Sequence, residues 1–367
     1  MAMTQHGGDI FGVARRLDVP ASNLLDFSAS VSPLGLSSRA KRRLKRELDV
    51  ACHYPDRRQE ELRRIIAAQD QIDPECIVFG NGATQLLHLI PRCLQPRKAL
   101  IPVPSFQEYR AALSCEVHEF PLRVKDGFCL STAQFLRAMK TLRPDLIILA
   151  NPNNPTGTLL PQSELFEILK CCAGQGTYCV LDESFIEFTS EMSFVREAVR
   201  QSRLIVVRSL TKFHALPGLR VGYLVAYRAV ASRLSEQLEP WSVNMLALIA
   251  AAESLQDVAY RDRLLALVQK EREYLFTKLQ ELGWLQPFPS AANFLLVRIK
   301  AQGMMSGTIL RLELEKHRIL VRDASGFKDL GRQYVRIAVR RRRDNRMLIE
   351  TLRTVGERRG LTARDKI

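Results

Sequence analysis

The sequence predicts an α/β fold: a large domain with a mostly parallel central sheet flanked by helices, plus a small α+β domain. Three observations carry this. Between residues 75 and 227, short apolar runs alternate with amphipathic helical stretches, as in strands joined by crossover helices. After residue 227 that alternation stops, and two long helical patterns lead into strands and helices in mixed order. The chain has 367 residues, 46% of them hydrophobic, enough for a large core and a second, smaller one.

Taken in order, residues 1–35 read as an N-terminal arm that also starts the small domain. His6-Gly7-Gly8-Asp9 opens it, a helix pattern follows over 10–17, and Gly, Ser and Pro then mark turns up to residue 35. The large domain is placed over 36–260, with a basic helix at 38–48, a turn at His53-Tyr54-Pro55-Asp56 and a helix at 59–69. Its strands are predicted at 76–79, 99–103, 117–120, 146–150, 178–181, 204–207 and 223–226. Helices are predicted between them at 84–94, 106–114, 131–142 and 162–173, and after them at 245–255 and 260–282. The C-terminal part of the small domain, 261–367, takes strands at 294–299, 319–321 and 334–338 and helices at 307–317 and 343–355.

The formal charge is +15, with basic clusters at 39–46 and 340–343. Neither cluster is interleaved with aromatics and no nucleic-acid motif is present, so solvated basic faces and a site for anions are expected rather than nucleic-acid binding. No apolar run approaches a membrane span, and the first nine residues lack a signal-peptide core. The eight cysteines form no C-x-x-C pair. Buried free thiols in a reducing cytoplasm are expected, not a disulfide framework or a metal site.

The sharpest chemical signal runs from Ser209 to Tyr223, between two apolar runs. Lys212 follows a buried strand, where burial lowers an amine's pKa and makes it a nucleophile suited to imine chemistry. Ser209, Thr211 and Arg220 are suited to hold a phosphate beside it. That combination suggests a lysine that carries pyridoxal phosphate (PLP). Gly80-Asn81-Gly82-Ala83-Thr84-Gln85 follows a strand and opens a helix, where backbone amides bind phosphate. Gln85 breaks the dinucleotide fingerprint, so a cofactor phosphate fits better. Asn151-Pro152-Asn153-Asn154-Pro155-Thr156-Gly157 is a rigid loop able to hold an Asn amide against a ligand. Asp182 and Glu183 stand at a strand's C-terminal end, where open α/β sheets bind ligands and an acid can pair with a ring nitrogen. Each stretch alone also fits a turn, a helix cap or a metal-binding acid; together they narrow the reading.

Gly82-Ala83-Thr84, Asn154-Pro155-x-Gly157, Asp182-Glu183, Ser209-x-Thr211-Lys212 and Arg220-x-Gly222 stand in the order found in class I/II PLP-dependent aminotransferases of fold type I. The resemblance covers nearly the whole chain. It implies that Lys212 is bonded to PLP, that Asp182 pairs with the pyridine nitrogen, and that Asn154 bonds the phenolic oxygen. Gly82, Ala83, Thr84, Ser209, Thr211 and Arg220 would surround the cofactor phosphate, and Phe106 would stack on the ring. Tyr54 resembles the tyrosine donated across a dimer interface, which implies a homodimer, and Arg336 the arginine for the substrate carboxylate. Phe185 departs from the Tyr of many relatives and lacks its hydroxyl.

Two branches of that family take phosphorylated substrates, the histidinol-phosphate aminotransferases and the threonine-phosphate decarboxylases of cobalamin biosynthesis. His6-Gly7-Gly8, Leu25-Asp26-Phe27-Ser28-Ala29-Ser30, Pro33-Leu34-Gly35, Phe185 and Val321-Arg322-Asp323-Ala324-Ser325-Gly326-Phe327 are similar to the decarboxylase branch. The resemblance implies decarboxylation of a phosphorylated amino acid, with Arg322, Arg336 and His6 as an anionic clamp beside Asn154. Amino transfer is the alternative. A basic regulator on the same fold is the alternative from another class.

Overall fold

The computed structural model describes residues 7–189, 193–301 and 305–361; the candidate His6 lies outside the described residues. The strands are β1 (Leu25–Phe27), β2 (Ile77–Gly80), β3 (Lys98–Val103), β4 (Glu116–Pro121), β5 (Leu146–Ala150), β6 (Tyr178–Asp182), β7 (Leu204–Ser209), β8 (Gly222–Ala226), β9 (Leu285–Pro287), β10 (Phe294–Ile299), β11 (Ile319–Asp323) and β12 (Tyr334–Ala338). Seven of them form one sheet in the order β2-β8-β7-β6-β5-β3-β4. Strands β4, β3, β5, β6 and β7 run parallel, and β8 is antiparallel to both its neighbours.

Apart from the edge strand β4, this sheet is buried on both faces, which is why its strands read as largely apolar runs. Along β5, Ile147 and Leu149 enter one core while Leu146 and Ile148 enter the other. In β7, Leu204 and Val206 oppose Ile205 and Val207 in the same way. The helices up to β8 are α1 (Ile10–Leu17), α2 (Ser38–Arg46), α3 (Glu60–Asp70), α4 (Ala83–Leu94), α5 (Gln107–Ala111), α6 (Thr132–Leu142), α7 (Gln162–Gln175) and α8 (Val195–Ala198). Beyond it follow α9 (Arg228–Ser235), α10 (Met245–Leu255), α11 (Val258–Glu281), α12 (Gly307–Glu315) and α13 (Arg342–Arg358). Helices α3, α6, α7 and α10 cover one face, and α4, α5 and α9 cover the other.

The remaining strands form a second sheet, β1-β11-β12-β10-β9. Its core is filled from α11, α12 and α13 by Leu275, Leu279, Leu310, Leu314, Leu348 and Leu352. Helix α11, 24 residues long, joins the two sheets. Asp257 caps it by accepting the amide N–H of Tyr260 at 3.1 Å.

Most predicted elements stand within a few residues of their expected ends, and the differences have local causes. The expected turns over 25–30 include strand β1, which is specified by its parallel pairing with β11 rather than by any pattern of its own. The helix expected at 106–114 shrinks to α5, because Leu113 turns into the core and the chain must begin β4 at Glu116. Strand β9 and helices α8 and α9 are additions to the expected set. Four cysteines are buried as expected, while Cys52 and Cys129 are exposed, and all eight are free.

One glycine fixes how the loop after β5 meets the second sheet. Gly157 has φ +75°, and a Cβ there would collide with Ser290 Oγ. Its carbonyl also accepts the N–H of Ala291 at 2.8 Å. Gly157→Ala is expected to cost roughly 2–4 kcal/mol from left-handed strain plus overpacking, read as a lowered urea midpoint.

Candidate active site

A cavity of about 270 Å³ opens at the C-terminal ends of the parallel strands, between the two sheets. Crossover connections deliver its residues to that end: Phe106 after β3, Asn154 after β5, Asp182 closing β6, and Ser209, Thr211 and Lys212 at the end of β7. Ala83, Thr84 and Arg220 complete one end. Arg322 from β11 and Arg336 from β12 form the opposite wall, and Gly7, Ala29 and Ser30 close it. Eleven of the sequence candidates therefore converge, with Gly82 directly beside them. Tyr54 does not line its own chain's cavity: it is 78% exposed and stacks on Trp241 at 4.7 Å.

Lys212 projects into this enclosed space. Burial, then the charges of Arg336 and Arg220, push its amine down to about 8, against the opposing pull of Asp182. A substantial neutral fraction is thus present near neutral pH, and the neutral amine is the nucleophile.

Asp182 is 5% exposed. Tyr109 donates its hydroxyl to Oδ2 at 2.6 Å, and the Ser184 N–H donates to Oδ1 at 2.9 Å. Burial raises the carboxyl above its usual range, and these two donors with Lys212 oppose that rise. Burial and the Asp182 charge raise the Tyr109 phenol well above its ordinary value, so it stays protonated and keeps donating. Tyr109 was not among the sequence candidates. Its signal was positional: it lies three residues after Phe106, one helical turn on, and the two rings meet edge to face at 5.7 Å. Glu183 goes the other way, as strand alternation requires. It holds the N–H of Phe194 at 2.8 Å behind the sheet, with Arg208 at 3.6 Å.

The end near Ala83 is shaped for a phosphate. Helix α4 begins at Ala83 with no side-chain cap, so its first amides are available to an anion. Ser209 Oγ and Thr211 Oγ1 lie 2.8 Å apart beside it. Arg220 packs over Gly82 so closely that a Cβ at Gly82 would lie 2.5 Å from Nη2. These residues fit PLP: a cup for the phosphate, Asp182 for the ring nitrogen, Phe106 on the wall and Lys212 for the aldehyde carbon.

The opposite wall has an excess of positive charge. Arg322 and Arg336 are direct cross-strand partners on β11 and β12. They are 7% and 8% exposed, and neither makes an ion pair among the described residues. Arg336 donates to Asn154 Oδ1 at 2.7 Å and to the Ser28 carbonyl at 2.9 Å, and its Nε is buried without a partner. The Arg336 guanidinium lies over the Phe294 ring at 5.1 Å, and that of Arg322 over Phe327 at 5.7 Å. Burial lowers the pKa of both, Arg336 to about 9 with Arg322 adding to the effect. Like charges facing each other across strands are destabilising, and buried charges need partners. Chemically, this wall can take the anionic groups of a ligand.

A family model described as aminotransferase class I and II matches residues 22–352. The chain is 37% identical to threonine-phosphate decarboxylase of Salmonella typhimurium, over 95% of this chain and 96% of that one. It is 32% identical to the adenosylcobalamin biosynthesis bifunctional protein CobDQ of Leptospira interrogans, over all of this chain and 43% of that protein. Among solved structures, the histidinol-phosphate aminotransferase from Clostridium acetobutylicum superposes with a TM-score of 0.84 at 29% identity, over 91% of this chain and 100% of that one.

Two outcomes follow from the site's electrostatics. In cofactor-free protein, the rate of PLP capture rises about tenfold per pH unit below pH 8 and levels off above it, because the neutral amine of Lys212 becomes the main form there. An ordinary lysine would keep accelerating to about pH 10. Tyr109→Phe removes one donor from a buried carboxylate and is expected to weaken PLP binding roughly 10- to 100-fold, measured by cofactor fluorescence on titration.

Proposed function

We propose that this chain, which belongs to the aminotransferase class I and II family, is a PLP-dependent carboxy-lyase that converts L-threonine O-3-phosphate to (R)-1-amino-2-propanol phosphate and CO₂ for cobalamin biosynthesis. The observation that carries the reading is the buried arginine pair, Arg322 and Arg336, which line the cavity with Lys212 and make no ion pair among the described residues. A substrate with both a carboxylate and a phosphate matches two guanidinium groups, each able to bind an oxyanion through two N–H donors.

PLP, when bound, supplies the sink for the electron pair left at Cα as the carboxylate departs. The chain's residues do the rest. Lys212 would hold the cofactor, and its amine in the cavity could deliver a proton to Cα. Asp182, fixed by the Tyr109 hydroxyl and the Ser184 N–H, would face the cofactor's ring nitrogen. Asn154 has its Oδ1 occupied by Arg336, leaving its amide nitrogen for the cofactor's phenolic oxygen. The two arginines orient the substrate by anchoring groups remote from the reacting bond, so binding energy selects the bond that breaks. Overall, one carboxylate leaves as CO₂ and one proton is taken up at Cα.

We infer a homodimer, supported by the exposed Tyr54–Trp241 stack outside its own chain's cavity. A cytoplasmic setting is supported by eight free thiols. Among the described residues no helix is long and apolar enough to cross a membrane. Part of the basic cluster on α2 is neutralised within the chain: Arg43 contacts Glu47, Glu61 and Glu253. That supports small anions, not nucleic acid, as partners.

Product analysis with L-threonine phosphate and no 2-oxoacid tests the reaction. Repeated turnovers that release CO₂ and aminopropanol phosphate are expected, and serine phosphate in the same assay sets specificity. Turnover of histidinol phosphate with 2-oxoglutarate and no CO₂ release would assign amino transfer instead. Arg322→Ala is expected to lower kcat/KM roughly 100-fold or more.

A further inference from the structure

The main chain around Lys212 is held by contacts that the chemistry above does not use. The Lys212 carbonyl accepts the Ser32 N–H at 2.9 Å. The next carbonyl, that of Phe213, accepts the Tyr260 hydroxyl at 3.2 Å. The same phenol oxygen lies 2.6 Å from Ser32 Oγ and 2.7 Å from the Gly35 carbonyl. A phenol has one proton, which the Gly35 and Phe213 carbonyls share, so Ser32 Oγ donates to the phenol oxygen. The phenol therefore joins three segments distant in sequence: the stretch around Ser32–Gly35, the lysine loop, and the first turn of α11.

Its surroundings fix it in turn. Tyr260 is 3% exposed, and Asp257 holds its N–H and accepts the Ser37 hydroxyl at 2.5 Å. Its ring belongs to an apolar cluster with Phe185, Phe213 and Phe294. Phe185 lines the cavity, and Phe294 lies beneath Arg336. On the other side of the loop, His214 meets Glu187 at 3.1 Å, a separate anchor that does not depend on the phenol.

We propose that Tyr260 is a positioning residue that, through Ser32 and the Phe213 carbonyl, sets where Lys212 stands in the cavity. It does not line the cavity itself, so it acts only through the loop.

Tyr260→Phe tests this, because it keeps the ring in its cluster and removes only the hydroxyl. The first readout uses cofactor-free protein: the pH dependence of Lys212 modification by trinitrobenzenesulfonate, located by peptide mass spectrometry. Loosening the loop admits water to the amine, so its apparent pKa should rise from about 8 by about one unit. The second readout is the loaded enzyme, where kcat should fall about tenfold with KM unchanged, since the arginines are untouched. Ser32→Ala should move both in the same direction, and the double variant should be no worse than the more severe single one, as for groups in one network. Ser32→Ala also serves if Tyr260→Phe fails to fold. Leu352→Ala, in the core of the second sheet, controls for general destabilisation and should leave the labelling profile in place. The proposal is overturned if Tyr260→Phe and Ser32→Ala lower Tm yet move the labelling pKa and kcat no more than Leu352→Ala does. The kcat arm rests on the proposed reaction and the labelling arm does not, so a wrong substrate leaves the positioning test intact.

Discussion

The burial of one amine among cations is the constraint on which the site depends. Lys212 shares its cavity with Arg220, Arg322 and Arg336, and among the described residues that line it Asp182 is the one carboxylate. An ammonium there would be a fourth positive charge in an enclosed space. The cheapest relief is to release its proton, which is also what nucleophilic attack requires. The same positive charge that helps burial to lower the lysine's pKa would draw in anionic ligands, so activation and the proposed recognition would share one electrostatic cause.

Arranging this requires chain segments far apart in sequence to hold opposite walls. The parallel sheet carries the lysine, the aspartate and the phosphate cup, because its strand ends all point one way. The second sheet carries the arginines. Helix α11 bridges the two, and the Phe185–Phe213–Phe294 cluster fills the seam between lysine loop and arginine wall. Position across the cavity is thus set by packing, which tolerates little slack.

The sequence made some of this legible and not the rest. Strands β5 and β7 were readable because double-sided burial leaves an unbroken apolar run. Lys212, Asp182 and Asn154 were readable because each sits beside a turn or strand end whose local chemistry is distinctive. Strand β1 was not, since three residues carry no periodicity and its partner lies some 290 residues away in the chain. Tyr109 and Tyr260 look like ordinary core aromatics, and only their hydroxyl partners set them apart. The cross-strand register of Arg322 and Arg336 was also invisible, because it is set by how β11 and β12 align. Long-range hydrogen bonds and register are properties of the folded chain, and one-dimensional patterns do not encode them.

The arginine wall also bears on how stability is distributed. Two facing, buried guanidinium groups that make no ion pair among the described residues leave the second sheet weaker than an apolar pair of the same size would. A dianionic ligand bound at this wall would supply the opposing charge, and its binding would stabilise the folded chain. On the proposed role of this wall, substitutions that relieve the repulsion would gain robustness at the expense of recognition. On that reading, bound substrate would stabilise the folded chain as well as being turned over by it.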